Sequence, residues 1–400
     1  MKSLTNEKKW YSVFSWIEKR KEIFFLVIFA LWYTLDYFYS LNLGKYEIGK
    51  NTYYLKILRP IKYLMVLIAV ITNRGTVRNF VLRLIVAVFL YITARKSLFF
   101  DLFYAWIILW ASENVDFTKT VKITAIMLGL YLPLTYLACR LGILDEVYGI
   151  FRYDIERKSF GFQHPNHMAF RVFSLVICLC YLLKDRKSVF IYLFSAGSIF
   201  ILWNFQNSRA SCGCILIMIV LFAFRSCFFH MNSYSQRFIL YTFSAGVLLL
   251  NVLMIVLTLT YDKNTEIYQM IDSFTSHRII FGNEAFLENG LSVFGQRIFL
   301  TMSERKSVGL EGQIIVDCAY VNILLRGGIV TYIGFTFAYI YGMIKSVKKN
   351  DYLKVCIMFV MALFGVSELE IYQASANIFL MLLPMYVDRA QVNDFKTRIA

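Results

Sequence analysis

Five short runs of residues have types and spacings that could do chemistry. The first is Arg152-x4-Arg157-x3-Gly161-Phe162-Gln163-His164-Pro165-Asn166. Pro165 suits the first position of a helix, which makes His164 its expected cap. His164, His167 and Arg171 then fall three and four apart on one helix face. Arg171 lies one to two turns inside an apolar run, where an ionisable group is costly and by default functional. The second run is Asn204-x2-Asn207-Ser208-Arg209, a helix start where a Ser208 cap beside an Arg can hold an anion. The third is His277-Arg278 with Gly282, Glu288, Gly290 and Phe294-Gly295-Gln296. The fourth is Val316-Asp317-x2-Tyr320-x3-Leu324-Leu325-Arg326-Gly327-Gly328, and the fifth is Glu368 with Glu370 in a short turn.

Several fixed guanidiniums suit a bidentate grip on a diphosphate. A carboxylate or His within reach of a sugar hydroxyl suits general-base work. Each run also has a plainer reading: Arg152 and Arg157 against anionic lipid, Arg209 as an interfacial anchor, His164 and Asp317 as helix caps. No Asp-rich metal motif, P-loop or Rossmann fingerprint accompanies them. The expected chemistry is therefore a transfer from a lipid diphosphate that uses no nucleotide, metal or cofactor.

The elements that must position these residues are apolar. A hydrophobic content of 58%, a mean hydropathy of +0.57 and only four prolines place the chain in the membrane class. Apolar runs recur from Ile23 almost to the C-terminus, and runs of this length read as helices because backbone groups in lipid must be satisfied within the segment. The expectation is an all-α, polytopic integral membrane protein, one transmembrane domain over 1–400. About twelve helices are expected, at 23–40, 57–73, 79–94, 98–112, 121–139, 165–183, 188–205, 211–229, 238–260, 315–344, 352–366 and 370–387. Lys2, Lys8, Lys9, Lys19, Arg20 and Lys21 precede the first run, which ends in Tyr37, Phe38 and Tyr39 without a small-residue cleavage site. A retained first helix with a cytoplasmic N-terminus follows.

The net charge of +16 is dispersed between apolar spans, so it reads as topology and not as a nucleic-acid surface. Most Lys and Arg then fall in short inner connections, as positive-inside orientation requires, and the C-terminus also lies in the cytoplasm. Two long connections, 140–164 and 261–314, are outer loops, the second with an amphipathic helix around Arg278 to Asn289. Their length marks them as functional. The eight cysteines, mostly inside apolar runs, read as packing residues. Under this topology all five runs fall on the outer side.

In hydropathy over the whole chain, and in Gly161-Phe162-x-His164-Pro165-Asn166, Asn207-Ser208-Arg209, Arg278 through Gly295, Asp317-x2-Tyr320 through Gly328, and Glu368, the chain resembles the Wzy-type polysaccharide polymerases. The likeness is greatest to the capsule polymerases of Gram-positive bacteria, within the O-antigen ligase and polymerase group. Related ligases begin the helix after the large outer loop with a His-Asn pair, eleven residues before a Gly. Here Asp317-Cys318 stands at that place, eleven before Gly328.

The resemblance implies an inverting glycosyltransferase at the outer face of the bacterial cytoplasmic membrane. One undecaprenyl-diphosphate-linked glycan is the donor, and the hydroxyl of a second lipid-linked repeat unit is the acceptor. Arg278, with Arg157 and Arg209, is expected on the donor diphosphate. The base is Asp317 first, with His277 or His164 as alternatives. Arg152, His164, Asn166, Arg171, Asn207, Arg326 and Glu368 complete the expected substrate site. A flippase and a chain-length regulator are the expected membrane partners beside the bilayer itself. Three rivals remain: a lipid-linked oligosaccharide flippase, a glycan ligase that differs only in its acceptor, and a membrane O-acyltransferase, which would need its His on the cytoplasmic side.

Overall fold

A computed structural model describes residues 2–43, 52–71, 77–113, 115–149, 151–152, 155–184, 189–374 and 376–383. Among the described residues the chain is helical, with one antiparallel pair of two-residue strands. Its helices are α1 (Lys2–Tyr39), α2 (Thr52–Ile71), α3 (Val77–Ser97), α4 (Asp101–Ala111) and α5 (Phe117–Arg140). The hairpin, β1 (Phe151–Arg152) and β2 (Ile155–Glu156), precedes α6 (Pro165–Leu182), α7 (Val189–Ile201), α8 (Arg209–His230) and α9 (Ser233–Leu259). The connection after α9 holds α10 (Glu266–Phe274), α11 (Arg278–Asn289) and α12 (Met302–Ser307); α13 (Ala319–Asn322), α14 (Ile329–Lys348) and α15 (Tyr352–Phe364) follow.

Among the described residues, seven helices are long and apolar enough to cross a membrane: Arg20–Tyr39, Val77–Ser97, Phe117–Arg140, Pro165–Leu182, Val189–Gln206, Arg209–His230 and Ser233–Leu259. Shorter apolar helices lie at Pro60–Ile71, Asp101–Ala111 and Tyr352–Phe364. Large apolar side chains such as Leu193, Leu216, Val220, Leu249 and Phe337 stand exposed on their outer faces, as lipid-facing surface must. The enclosed span is α6, 72% buried against no more than 33% for the other six. Its Phe170 and Phe173 rings pack on Phe364 of α15, at 5.3 and 5.1 Å between centroids. The helix that begins with the His164-Pro165-Asn166 run is thus the most enclosed of these seven.

The expected helices up to 260 are present with shifted ends; positions 72, 73 and 188 of those expectations lie outside the described residues. Two later expectations need correction. The run 315–344 is not one helix: α13 passes into a π-turn at Ile323–Gly327 and the chain breaks at Gly328, φ +86°, before α14. The 292–296 segment of the long connection plugs this break. Ile329 N donates to Ser292 O at 3.0 Å, Val330 N to Val293 O at 3.2 Å, and Gln296 N to Arg326 O at 3.1 Å. Backbone groups freed by the break thereby find partners, as they must in an apolar setting.

A side chain has no room there, since a Cβ on Gly328 would stand 2.2 Å from Gly295 N and 2.8 Å from Val293 O. Its backbone is also in a region nearly reserved for glycine, which costs other residues about 1–3 kcal/mol. Gly328→Ala is therefore expected to destabilise the detergent-solubilised protein by that amount or more and so to lower its thermal unfolding midpoint. An unchanged midpoint in scanning fluorimetry would sink this account.

The second correction concerns 370–387, of which 375 and 384–387 lie outside the described residues. The rest is no α-helix but two 3₁₀ turns, Glu370–Tyr372 and Ile378–Leu382, and between them Ala376 N and Asn377 N turn back to donate to Gln373 O at 3.0 and 2.7 Å. Tyr372 packs on Phe99 beside the start of α4, at 5.1 Å between rings, whereas Phe379 packs on Phe117 at the start of α5, at 5.7 Å. Residues 373–383 thus run the length of the short α4. Asn377 replaces the missing helical bonds: its Nδ2 donates to Ile371 O at 2.8 Å and its Oδ1 accepts from Phe379 N at 3.1 Å. Leu383 is extended, as a residue before a proline (Pro384 here) prefers to be. Irregular backbone is tolerated at this depth because protein encloses it: Ile371, Tyr372, Ile378 and Leu380 are all buried.

Candidate functional site

At one end of the bundle, four of the five runs are tied into one chain of contacts. Arg157, in the segment after β2, is buried. Its Nε donates to Gln206 O at the end of α7, at 2.6 Å, and its Nη2 donates to Asn166 Oδ1. Asn166, in the first turn of α6, passes the chain on: its Nδ2 donates to Glu368 Oε1 at 2.6 Å. Arg278 opens α11 and stands 3.9 Å from Glu368 and 2.8 Å from Asp317. Its Nε donates to Ser367 O at 3.2 Å. Five elements far apart in sequence are locked by this network, which satisfies the buried Arg157 guanidinium and the partly buried Arg278 one.

The network borders a cavity of about 560 Å³, within the ordinary range for a ligand site. Asp36, Lys62, Asp101, His164, Asn166, His167, Arg171, Asp317, Glu368 and Glu370 give its polar lining; Tyr39 and Phe170 supply rings. Among the described residues, five carboxylates and two permanent cations, Lys62 and Arg171, therefore face the space. Arg171 is held by Asp36 at 3.1 Å and stacks over Tyr33 and Tyr37. Lys62 lies over the Tyr104 ring at 4.0 Å. The guanidiniums of Arg157 and Arg278 stand one layer behind the wall, engaged by Asn166, Asp317 and main-chain carbonyls.

His164 caps α6: its Nδ1 accepts from Asn166 N at 3.1 Å. With Nδ1 accepting, a neutral imidazole carries its proton on Nε2, so the cap uses the lone pair that a base would need. The carboxylates are better placed. Burial pushes the Asp317 acid above its ordinary range, against the pull of Arg278. Burial, reinforced by the Glu370 carboxylate, raises Glu368 well above its ordinary value against Arg278; burial holds Glu370 up to about 7. Acids raised in this way inside a cavity are candidates for proton transfer near neutral pH.

Of the residues singled out in the sequence, the cavity lining includes His164, Asn166, Arg171, Asp317 and Glu368. Arg157 and Arg278 support it from behind. The others stand elsewhere. His277, left-handed at φ 64°, points to solvent and pairs with Asp272 at 2.8 Å. Asp317 is not a helix cap, since Cys318 holds that position. Arg326 donates to Leu98 O at 3.3 Å and lies over the Phe99 ring. Asn207 makes the left-handed turn between α7 and α8. Ser208, expected as an anion-holding cap, makes no side-chain cap and instead donates to Ser211 Oγ at 3.2 Å. Arg209 is exposed and outside the lining. The side chain of Arg152 lies outside the described residues.

The lining also holds Asp36, Lys62 and Asp101, which attention to the loops passed over. Each is an ionisable residue in an expected apolar span, and that was the available signal. Among the described residues, no group of His, Cys, Asp and Glu side chains is arranged to hold a metal ion. No protein-family model, curated protein or solved structure matches this chain.

Proposed function

We propose that the chain is a polysaccharide polymerase that joins undecaprenyl-diphosphate-linked oligosaccharide repeat units at the outer face of the bacterial cytoplasmic membrane. In this reading twelve segments cross the bilayer, the last of them the non-α-helical 373–383, and both termini lie in the cytoplasm. The observation that carries it is the Arg157–Asn166–Glu368–Arg278–Asp317 network, which joins a raised carboxylate to a fixed guanidinium at the edge of a cavity. Four of its five members, Asn166, Glu368, Arg278 and Asp317, are residues on which the resemblance to the Wzy-type polymerases rests.

Asp317 is the base. It faces the cavity, burial makes it more basic, and Arg278 keeps it oriented and charged. It takes the proton of the acceptor hydroxyl as that oxygen bonds to the donor's anomeric carbon. The bond from that carbon to the diphosphate oxygen breaks on the opposite face, the electron pair leaves with undecaprenyl diphosphate, and the configuration inverts. Arg171, the guanidinium that faces the cavity, is placed to balance charge on the leaving group, and Arg278 acts through Asp317 from behind the wall. His164 and Asn166 shape the rim.

A second reading, a transporter of the same lipid-linked glycan, draws on one observation. A buried non-α-helical crossing and the intramembrane Lys62 and Asp101 side chains meet at the cavity, a combination that transporters use at mid-membrane sites. Deletion of the gene in its host separates the two. Loss of long polymer with single lipid-linked repeats accumulating on the outer face is the expected result. Single repeats trapped on the inner face would replace the polymerase by the transporter, and polymer of normal length lacking only its final attachment would indicate a ligase.

A further inference from the structure

The connection between α9 and α13 carries an apolar face that the bundle does not cover. Ile267, Met270 and Phe274, spaced three and four apart along α10, are 64, 69 and 91% exposed. They share one side of the helix. The opposite side is fixed to the protein. Asp272 is buried and accepts from Ile279 N at 3.1 Å, Ile280 N at 3.0 Å and the His277 ring at 2.8 Å.

The position of α10 identifies what covers the free face. Tyr268 hydrogen-bonds through its hydroxyl to Thr260 Oγ1 at 2.7 Å, and its ring packs on Tyr261. Thr260 stands one turn beyond Val256, whose carbonyl accepts its hydroxyl at 2.7 Å. Leu249, Val252, Leu253 and Val256 form the exposed apolar stripe of α9, a span long and apolar enough to cross the membrane. The tether of α10 is therefore attached at the end of the exposed apolar stripe of α9, which sets the helix level with the end of that span; Tyr268 and Asp272 share the tied side, and Ile267, Met270 and Phe274 face away from it. A helix with one apolar face lying where a span leaves the hydrocarbon is an interfacial helix.

We propose that α10 lies in the headgroup region of the bilayer at the cavity end of the bundle, with Ile267, Met270 and Phe274 buried in lipid. Four residues after Phe274 comes Arg278, so this lipid contact stands one hydrogen-bonded turn from the proposed site. The proposal does not depend on what reaction occurs there.

The test places a fluorescent noncanonical amino acid at position 267, 270 or 274 of the full chain, with position 264 as the solvent control, in nanodiscs of phosphatidylcholine and phosphatidylglycerol. All four positions are exposed in the structure, so the substitutions should not disturb folding. Lipids with a shallow nitroxide are expected to quench positions 270 and 274 several-fold more than 264, while aqueous iodide shows the reverse order. Iodide reaching all four positions equally would mean that the face meets water and would overturn the proposal. Protection from both quenchers would mean that protein covers it, a second copy or another partner, and would overturn it as well.

Discussion

Asp317→Asn is expected to leave the chain in the membrane at its normal level and to lower polymer formation by about 10²–10⁴-fold, the range of a lost general base. The amide keeps the size of the carboxylate, and its oxygen can still accept from Arg278, which stands 2.8 Å away in the native pair. Folding is thereby spared while proton uptake is lost. A pH profile adds a second readout. Burial raises the Asp317 acid, and the base works only when ionised, so native activity should fall as pH drops through a value above the ordinary carboxylate range of about 4. His277→Gln is the contrasting variant. That ring is 63% exposed and outside the cavity lining, so its replacement should leave yield and chain length intact. Long polymer made at the native rate by Asp317→Asn, or its loss in His277→Gln, would move the base elsewhere.

Much of this arrangement was legible in the residues. The Pro165 start and His164 cap of α6 followed from helix-end chemistry, and the helix at Arg278–Asn289 stands where amphipathic spacing placed it. The gathering of Arg157, Asn166, Arg278, Asp317 and Glu368 at one end followed from alternation of crossings, because each lies next to an end of a span. Depth was harder to read. Hydropathy records that 370–387 is apolar but not whether its backbone is α-helical; Asn377 and Pro384 were the signs that the described part of it is not. Pairing inside the bundle was not readable at all. Asp36 meets Arg171 across 135 positions of sequence, and nothing in either apolar run names its partner. The result is a cavity wall richer in carboxylates than a simple diphosphate clamp of arginines would be.

The second large effect is expected from Arg278→Ala. This guanidinium lies between Asp317 and Glu368 and also holds the Ser367 carbonyl. Its loss leaves two carboxylates facing each other with no cation between them. Breaking a buried ion pair typically costs about 3–5 kcal/mol. Asp317 keeps 35% of its side chain in contact with solvent, so a loss of about 2–3 kcal/mol is the expected share here. It should appear as a lower unfolding midpoint in detergent. Polymer formation should fall by about 10²–10³-fold, because the base loses the cation that orients it and holds it ionised. Arg278→Lys should recover only part of this, because a single ammonium cannot reach Asp317, Glu368 and the Ser367 carbonyl together. The pair makes a sharper prediction still. If Arg278 acts by orienting and charging Asp317, the double variant Arg278→Ala with Asp317→Asn should lose far less activity than the product of the two single losses. Independent, fully multiplicative losses would separate the two residues and leave Arg278 a diphosphate contact in its own right.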